Sequence, residues 1–411
     1  ITGIFNLNGS DKIEAEQVAE IVEEMANSLA HRGPDDFGIH IDGNIGFGFR
    51  RLSIIGLESG NQPIYNEDRS VVMVCNGEIF NYKELEHLLE TKGHAFYTDT
   101  DVEVLVHLYE EYGTDLLHEI NGQFAFAVYD KKNQQLFLAR DHVGIAPLFY
   151  TTVGNAFIFA SEIKALLKYP EIKKAVDLVS LDQIFSFPAV ISPRTMFKDI
   201  YSIKPGHFLI VKNGKISDHE YWDLIYPDET EIEFGKSESD CIDVLDELMH
   251  QSVKYRLIAD VPVGFYLSGG IDSSLVGAII NNLYPDISRH SFSIGFTEKD
   301  IDERKYQKLL SRHINSVHHE TVFDWPDISS RLKDMIYFAE SPLKEAYDTC
   351  SLALSNTAKI NNIKVVLTGE GSDEIFAGYI GYRFDQLRQE EAYDPHDVEA
   401  ILEKQIREEL W

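Results

Sequence analysis

A chain of 411 residues with a formal net charge of -31 is too long for one ordinary core and too acidic to hold nucleic acid or an anionic membrane over much of its surface. Its apolar fraction of 44%, with 11% aromatic residues, excludes a disordered chain and leaves material for two sizeable cores. Three cysteines without CxxC spacing, no bilayer-length apolar run and no signal-peptide core lead to the expectation of a reducing, cytoplasmic setting.

Ile1 is not an initiator residue, so the start is expected to be processed, trimmed or engineered. From there, short apolar strands are predicted at 45–49, 70–75, 124–129, 135–139 and 156–160, with helical spacing at 15–30 and 102–112. Antiparallel strands with helices outside predict an α+β sandwich, an αββα arrangement. Asn213-Gly214 signals a hairpin turn, and the first domain is expected to end near it, at 215.

The acidic stretch 226–240 reads as linker, which places the domains at 1–215 and 241–411 with 216–240 between them. Beyond it the rhythm changes to helix (241–256), strand (263–267), loop, helix from about Ser273, and strands at 290–296 and 363–367. That βαβ pattern predicts a parallel sheet flanked by helices, an α/β domain.

The loop at 267–274 reads Leu-Ser-Gly-Gly-Ile-Asp-Ser-Ser, and it carries a strand into a helix. Such a passage gathers backbone N–H groups, hydroxyls and a helix N-terminus around one point, an anion cradle. Gly269 and Gly270 allow close approach to phosphate oxygens, Ser268, Ser273 and Ser274 add hydroxyls, and Asp272 calls for a cation such as Mg2+. The loop lacks the Gly-Lys-Ser/Thr ending of a P-loop, which disfavours γ-phosphate transfer. Alone, it could be an ordinary strand-to-helix turn. A second loop, Thr-Gly-Glu-Gly-Ser-Asp-Glu at 368–374, also follows an apolar strand and would emerge at the same carboxyl edge, where Asp373 could share the metal and Glu370 could sit near a reacting carboxylate.

With Asp260-Val-Pro-Val-Gly264, Ser291–Phe296, Asp302-Glu-Arg304, His318-His-Glu320 and Phe376-Ala-Gly-Tyr379, these residues resemble the synthetase domain of the asparagine synthetase family. The resemblance implies ATP contact at Leu267, Ile294, Thr368 and Gly369, magnesium at Asp272 and Asp373, and an acyl-AMP intermediate. His318 and His319 are adjacent, point in different directions and have no evident third ligand, so they are expected to be structural.

The first half carries His31-Arg-Gly-Pro-Asp-Asp-Phe-Gly38, Arg51-Leu52-Ser53-Ile54-Ile55, Asn76-Gly77-Glu78, Asp101 and Ala139-Arg-Asp-His142, and it is similar to the N-terminal-nucleophile glutaminase domain of class II amidotransferases. A planar guanidinium at Arg51 suits the carboxylate of glutamine, Asp101 and Glu78 suit its ammonium, and Asn76 with the Gly77 N–H suits an oxyanion. The family position of the nucleophilic cysteine falls on Thr2, whose hydroxyl is far harder to ionise, so glutaminase activity is in doubt and ammonia or another amine stands as the alternative nitrogen source.

The expected function is therefore an ATP-dependent amide synthetase, with aspartate as the default acid and asparagine as the default product. The stretch 340–350 departs from the aspartate-binding pattern: Lys344 could attract a carboxylate, whereas Glu345 and Asp348 would repel one. A tailoring enzyme that amidates another acid or closes a ring, and a silent protein that binds glutamine and ATP, are the alternatives. The chain ends before the family's adenylation lysine and is expected to be C-terminally incomplete; a homodimer is left open.

Overall fold

The N-terminal strands are buried on both faces, as strands are when a second sheet lies on one side and helices on the other. The computed structural model describes residues 1–7, 15–187, 189–226, 230, 235–343, 346–382, 398, 401, 402, 404 and 405. Lys344, Glu345, part of the acidic stretch and Trp411 lie outside the described residues.

The strands are β1 (Thr2–Asn6), β2 (Asp36–Asp42), β3 (Ile45–Arg51), β4 (Ile64–Tyr65), β5 (Val71–Ile79), β6 (Gly122–Asp130), β7 (Gln135–Arg140), β8 (Phe149–Val153), β9 (Ala156–Ala160), β10 (Tyr201–Ser202), β11 (His207–Lys212), β12 (Lys215–Glu220), β13 (Val263–Tyr266), β14 (His290–Phe296), β15 (Val317–Phe323) and β16 (Val365–Leu367). The helices are α1 (Ala15–Asn27), α2 (Tyr82–Lys92), α3 (Val104–Tyr112), α4 (Ile163–Leu166), α5 (Leu178–Ser186), α6 (Glu238–Arg256), α7 (Ile271–Leu283), α8 (Arg304–His313), α9 (Trp325–Ala339), α10 (Asp348–Ile360) and α11 (Ser372–Phe376). The chain divides into two units, Ile1–Val263 with Phe323–Val365, and Gly264–Val322 with Val366–Trp411.

In the first unit, two six-stranded sheets run β10-β8-β9-β1-β3-β2 and β12-β11-β7-β6-β5-β4. The period of two along β6 sorts its residues: Ala125, Ala127 and Tyr129 face the inter-sheet core with Phe47, Phe157 and Phe159, while Phe124, Phe126 and Val128 face Leu89, Leu105 and Leu108 of α2 and α3. On the far side, α1 and α4 pack Val22, Met25 and Leu166 against Ile4 and Ile158. This is the αββα sandwich expected, and each fully buried phenylalanine contributes roughly 1.5–3 kcal/mol of transfer free energy.

Asn213 and Gly214 adopt φ of 52° and 71°, as a tight primed turn requires, and β12 then pairs with β11 as far as Glu220. The sheet therefore continues past the expected end at 215, because the hairpin's second strand is fully exposed and polar and gives no hydrophobic signal. Helix α6 begins at Glu238, earlier than its apolar pattern predicts, under a capping box made by Ser237 and Asp240. Within this same unit Arg256 lies 4.7 Å from the Phe80 ring centre, and Asp260 accepts from the Gly56 N–H at 2.8 Å.

The second unit centres on a four-stranded sheet ordered β15-β14-β13-β16, with β13 and β14 parallel through Phe265 opposite Ser291. Gly277 of α7 sits against Phe265, where a Cβ would lie 3.1 Å from the ring, so its bareness lets the helix seat on the sheet. The loop that ends β13 passes into α7 at Ile271, slightly before the predicted start near Ser273, because Gly270 takes the N-cap in extended conformation.

Candidate active sites

The first site is a cavity of about 230 Å3 in the first unit. That is below the roughly 300 Å3 of drug-sized pockets, as a single amino acid requires. Strands β3 and β5 bring Arg51, Asn76, Gly77 and Glu78 to its wall, and the segments at 52–55 and 100–102 bring Leu52, Ile54, Ile55 and Asp101. Ser53 is not among the lining residues; its N–H donates to Asp35 Oδ2 at 2.8 Å and its carbonyl accepts from Lys364.

Arg51 is buried, and its guanidinium donates to the carbonyls of Ile55, Gly56 and Leu57 at 3.0, 2.7 and 3.5 Å. Three of its five N–H donors are thereby held by backbone, which fixes the plane of the guanidinium. Asp101 accepts from the Ile79 N–H at 2.7 Å, yet burial dominates and raises its carboxyl to about 6. Burial, followed by the Asp101 charge, raises Glu78 to about 7, against the pull of Arg256. Two carboxyls pushed up together, Asp101 buried and Glu78 half-buried, define a place where a cation is welcome.

Gly77 is required by close pairing: a Cβ there would lie 2.2 Å from the Gln123 carbonyl oxygen. Gln62 and Gln123, not among the expected site residues, also line the cavity. Gln62 is locked by two bonds to the backbone of Cys75, and a lone glutamine carries no local pattern that would have singled it out.

Thr2, the expected nucleophile position, is not among the residues that line the cavity. Its hydroxyl donates to the Phe159 carbonyl at 3.1 Å, and its methyl faces Gly48 beside Val22 and Ala26 of the α1 layer. Neighbours along a strand point to opposite faces, so Ile1, in the inter-sheet core, reaches the cavity and Thr2 turns away. Cys75 lines the cavity, but burial and the Asp101 charge push its thiol well up, the reverse of an activated thiolate.

The second site lies at the carboxyl edge of the four-stranded sheet. Gly269 adopts φ of 94°, a left-handed conformation that glycine supplies cheaply, and Ser268 Oγ accepts from the Gly270 N–H at 3.1 Å. Ser273 Oγ closes the loop onto the Ser268 N–H at 3.1 Å, and Ser274 begins the helical ladder by donating to the Gly270 carbonyl. Behind the loop, the buried amide of Gln307 donates to the carbonyls of Ser268 and Ile294 at 3.0 and 2.9 Å, joining β13 to β14, while Leu267 is buried beneath.

The two loops abut. A Cβ on Gly369 would come within 2.9 Å of Asp272 Cβ and 3.0 Å of the Ser273 nitrogen, so Thr368–Gly369 lies directly against the start of α7. Asp373 sits in the first turn of α11 with Gly378 beside its carboxylate, where any Cβ would collide with it; Glu370 is exposed at the same loop. Hard carboxylate oxygens on two abutting, donor-rich loops fit a small divalent cation such as magnesium, which takes one or two protein carboxylates and completes its shell with water and phosphate.

His318 is engaged by β14: Ser291 and Ser293 hydroxyls lie 2.9 and 3.1 Å from its two ring nitrogens. His319 pairs with His290 at 2.9 Å. Glu340, the first residue of the departing stretch 340–350, accepts from the Ile163 and Lys164 N–H groups at 2.6 Å each and caps the bare start of α4 within the first unit. It therefore serves packing.

Residues 1–222 match the family model of a glutamine amidotransferase domain and residues 244–411 that of asparagine synthase. "Asparagine synthetase (glutamine-hydrolyzing) 1" of Bacillus subtilis is 34% identical over 93% of this chain and 59% of its own length. "Amidase chry2" of Gibberella zeae is 34% identical over 98% of this chain and 60% of its own. "Putative asparagine synthetase (glutamine-hydrolyzing) 2" of Methanocaldococcus jannaschii is 34% identical over 93% of this chain and 78% of its own. The chain thus spans about three fifths of the first two relatives. With both family models matched in order along one chain, and the last relative covered over most of its length, the protein belongs to the glutamine-hydrolysing asparagine synthetase family.

Proposed function

We propose that the protein activates a carboxylate with ATP as an acyl-adenylate and joins it to nitrogen drawn from glutamine or from free ammonia. The contact between Gly369 and the Asp272–Ser273 turn carries this reading, because it makes one site of two loops that are remote in sequence. A carboxylate oxygen attacks the α-phosphorus, the bond to pyrophosphate breaks, ammonia then attacks the acyl carbon, and AMP departs with the amide formed.

Ser268, Gly269, Gly270, Ser273 and Ser274 cradle the pyrophosphate, and Leu267, Ile294, Thr368 and Gly369 line the nucleotide. Asp272 and Asp373 would hold magnesium, which when bound would offset the charge of the phosphates. Glu370 takes a proton from the attacking nitrogen. In the cavity, Arg51 grips the glutamine carboxylate, Asp101 and Glu78 its ammonium, and Asn76 with the Gly77 N–H faces the amide oxygen; Leu52, Ile54 and Ile55 form the apolar wall. Thr2 stands at the nucleophile position that the family resemblance implies, where attack on the amide carbon would release ammonia; its hydroxyl is bonded to the Phe159 carbonyl, which favours free ammonia as the nitrogen source.

Aspartate is the default acid. A different carboxylate is the second reading, favoured by the amidase names of two relatives, "Amidase chry2" and "Amidase chyE" of Penicillium rubens. Exchange of labelled pyrophosphate into ATP, screened over candidate acids, tests both. Exchange with aspartate supports the first reading and exchange only with another acid supports the second. No exchange with any acid while both ligands bind would establish a silent binding protein.

A further inference from the structure

On the outer face of the sandwich, away from the residues lining the glutamine cavity, four side chains from three segments converge. Glu67 comes from the turn between β4 and β5, His94 from the residue after Gly93 that ends α2, and His107 and Glu110 from successive turns of α3. Their ligating atoms all lie within 4.8 Å of one another.

Both imidazoles aim Nδ1 at the same two carboxylates. His94 Nδ1 lies 3.2 Å from Glu67 and 3.9 Å from Glu110, and His107 Nδ1 lies 3.5 and 3.7 Å from the same pair. Ligands about 2.0 Å from a tetrahedral ion stand roughly 3.3 Å apart, so small movements would close the shell. Each outer nitrogen has its own carboxylate: His94 Nε2 faces Glu111 at 3.3 Å and His107 Nε2 faces Glu103 at 3.6 Å. A carboxylate behind a ligating histidine fixes its tautomer and raises its basicity.

An independent observation points to a ligand. His107 is fully buried, yet neither ring nitrogen has a hydrogen-bond partner. A neutral imidazole carries one donor and one acceptor, and leaving both unmet in the interior is costly. An ion on Nδ1, with Nε2–H drawn to Glu103, satisfies both. Glu67 and Glu110 are partly exposed at 39% and 27%, which leaves a path for entry.

We propose that Glu67, His94, His107 and Glu110 form a structural site for a divalent first-row transition ion, with zinc as the natural occupant. Two imidazole nitrogens and two carboxylate oxygens suit zinc and disfavour magnesium or calcium, which take oxygen shells. The ion would staple the β4–β5 turn and the end of α2 to α3. Glu103 on the same α3 approach also accepts from the Tyr97 and Thr98 N–H groups, so the staple would steady the segment leading to Asp101 of the cavity.

The test loads the full-length, untagged protein with zinc, removes excess by gel filtration and measures bound metal by mass spectrometry. The wild type should retain one zinc per chain more than the double variant E67Q/H94Q, whose fold is checked by circular dichroism in metal-free buffer. Cobalt should give intense tetrahedral d–d absorption in the wild type alone, and E111Q should bind zinc about 10–100-fold more weakly through loss of the outer carboxylate. Equal zinc in wild type and double variant, or no retained zinc in the wild type, would overturn the proposal and leave the cluster as an ion-pair network.

Discussion

At the residue scale, the cavity proposed for glutamine rests on a guanidinium whose orientation is fixed by three backbone carbonyls. Arg51→Lys keeps the charge but loses the fork, so the dissociation constant for glutamine, read by calorimetry, should rise roughly 10-fold or more, the equivalent of one charge-assisted hydrogen bond of about 1.5–3 kcal/mol. Glu78 and Asp101 set the pH response. Their carboxyls are raised to about 7 and about 6, so both must lose protons before an ammonium is held well, and affinity should fall several-fold from pH 8 to pH 6. Stability moves the other way: a carboxyl raised on folding binds its proton more tightly in the native chain, so these two make the unliganded protein more stable as pH falls from about 7 towards their unfolded values near 4. Glu78→Gln should flatten the pH dependence of binding; an unchanged profile would remove Glu78 from the ligand's surroundings. Thr2→Val should leave glutamine affinity unchanged and cost about 1 kcal/mol of stability for the lost bond to Phe159.

At the element scale, the functional loops depend on glycines that let backbones meet. Gly369→Ala would push a Cβ into the start of α7, and because that neighbour is backbone it cannot swing aside. Pyrophosphate exchange should drop at least about tenfold, in line with the sensitivity of oriented catalysis to displacements of an ångström, while the melting temperature of the glutamine unit stays put. Both loops were legible in the sequence because each stands between a short apolar strand and a helix, with its glycines and acids in one run. The face of β1 was not legible. All its residues are buried, between a sheet on one side and α1 on the other, so no alternation marks which of Ile1 and Thr2 faces the cavity. Strand β12 escaped notice for the opposite reason, being exposed at every position.

At the scale of the whole molecule, both layers of architecture were readable from periodicity: the aromatic alternation of β6 and the change of rhythm beyond the acidic stretch separate sandwich from parallel sheet. Convergence of distant residues was not. His107 and Glu110 share a helical face at a spacing of three, but Glu67 and His94 join them only through the fold, and Gln62 reaches the cavity only because its amide is tied to Cys75. The same limit applies to the activated acid, since Glu340 proves to be committed to α4 within the first unit and Lys344 and Glu345 lie outside the described residues. The two abutting loops are proposed to activate a carboxylate on ATP. Exchange of radiolabelled pyrophosphate into ATP by the full-length protein, with magnesium and a panel of acids led by aspartate, measures that step directly. Acid-dependent exchange that Asp272→Asn abolishes is the expected result; exchange absent with every acid, in protein shown to bind ATP, would contradict a role for these loops in activation.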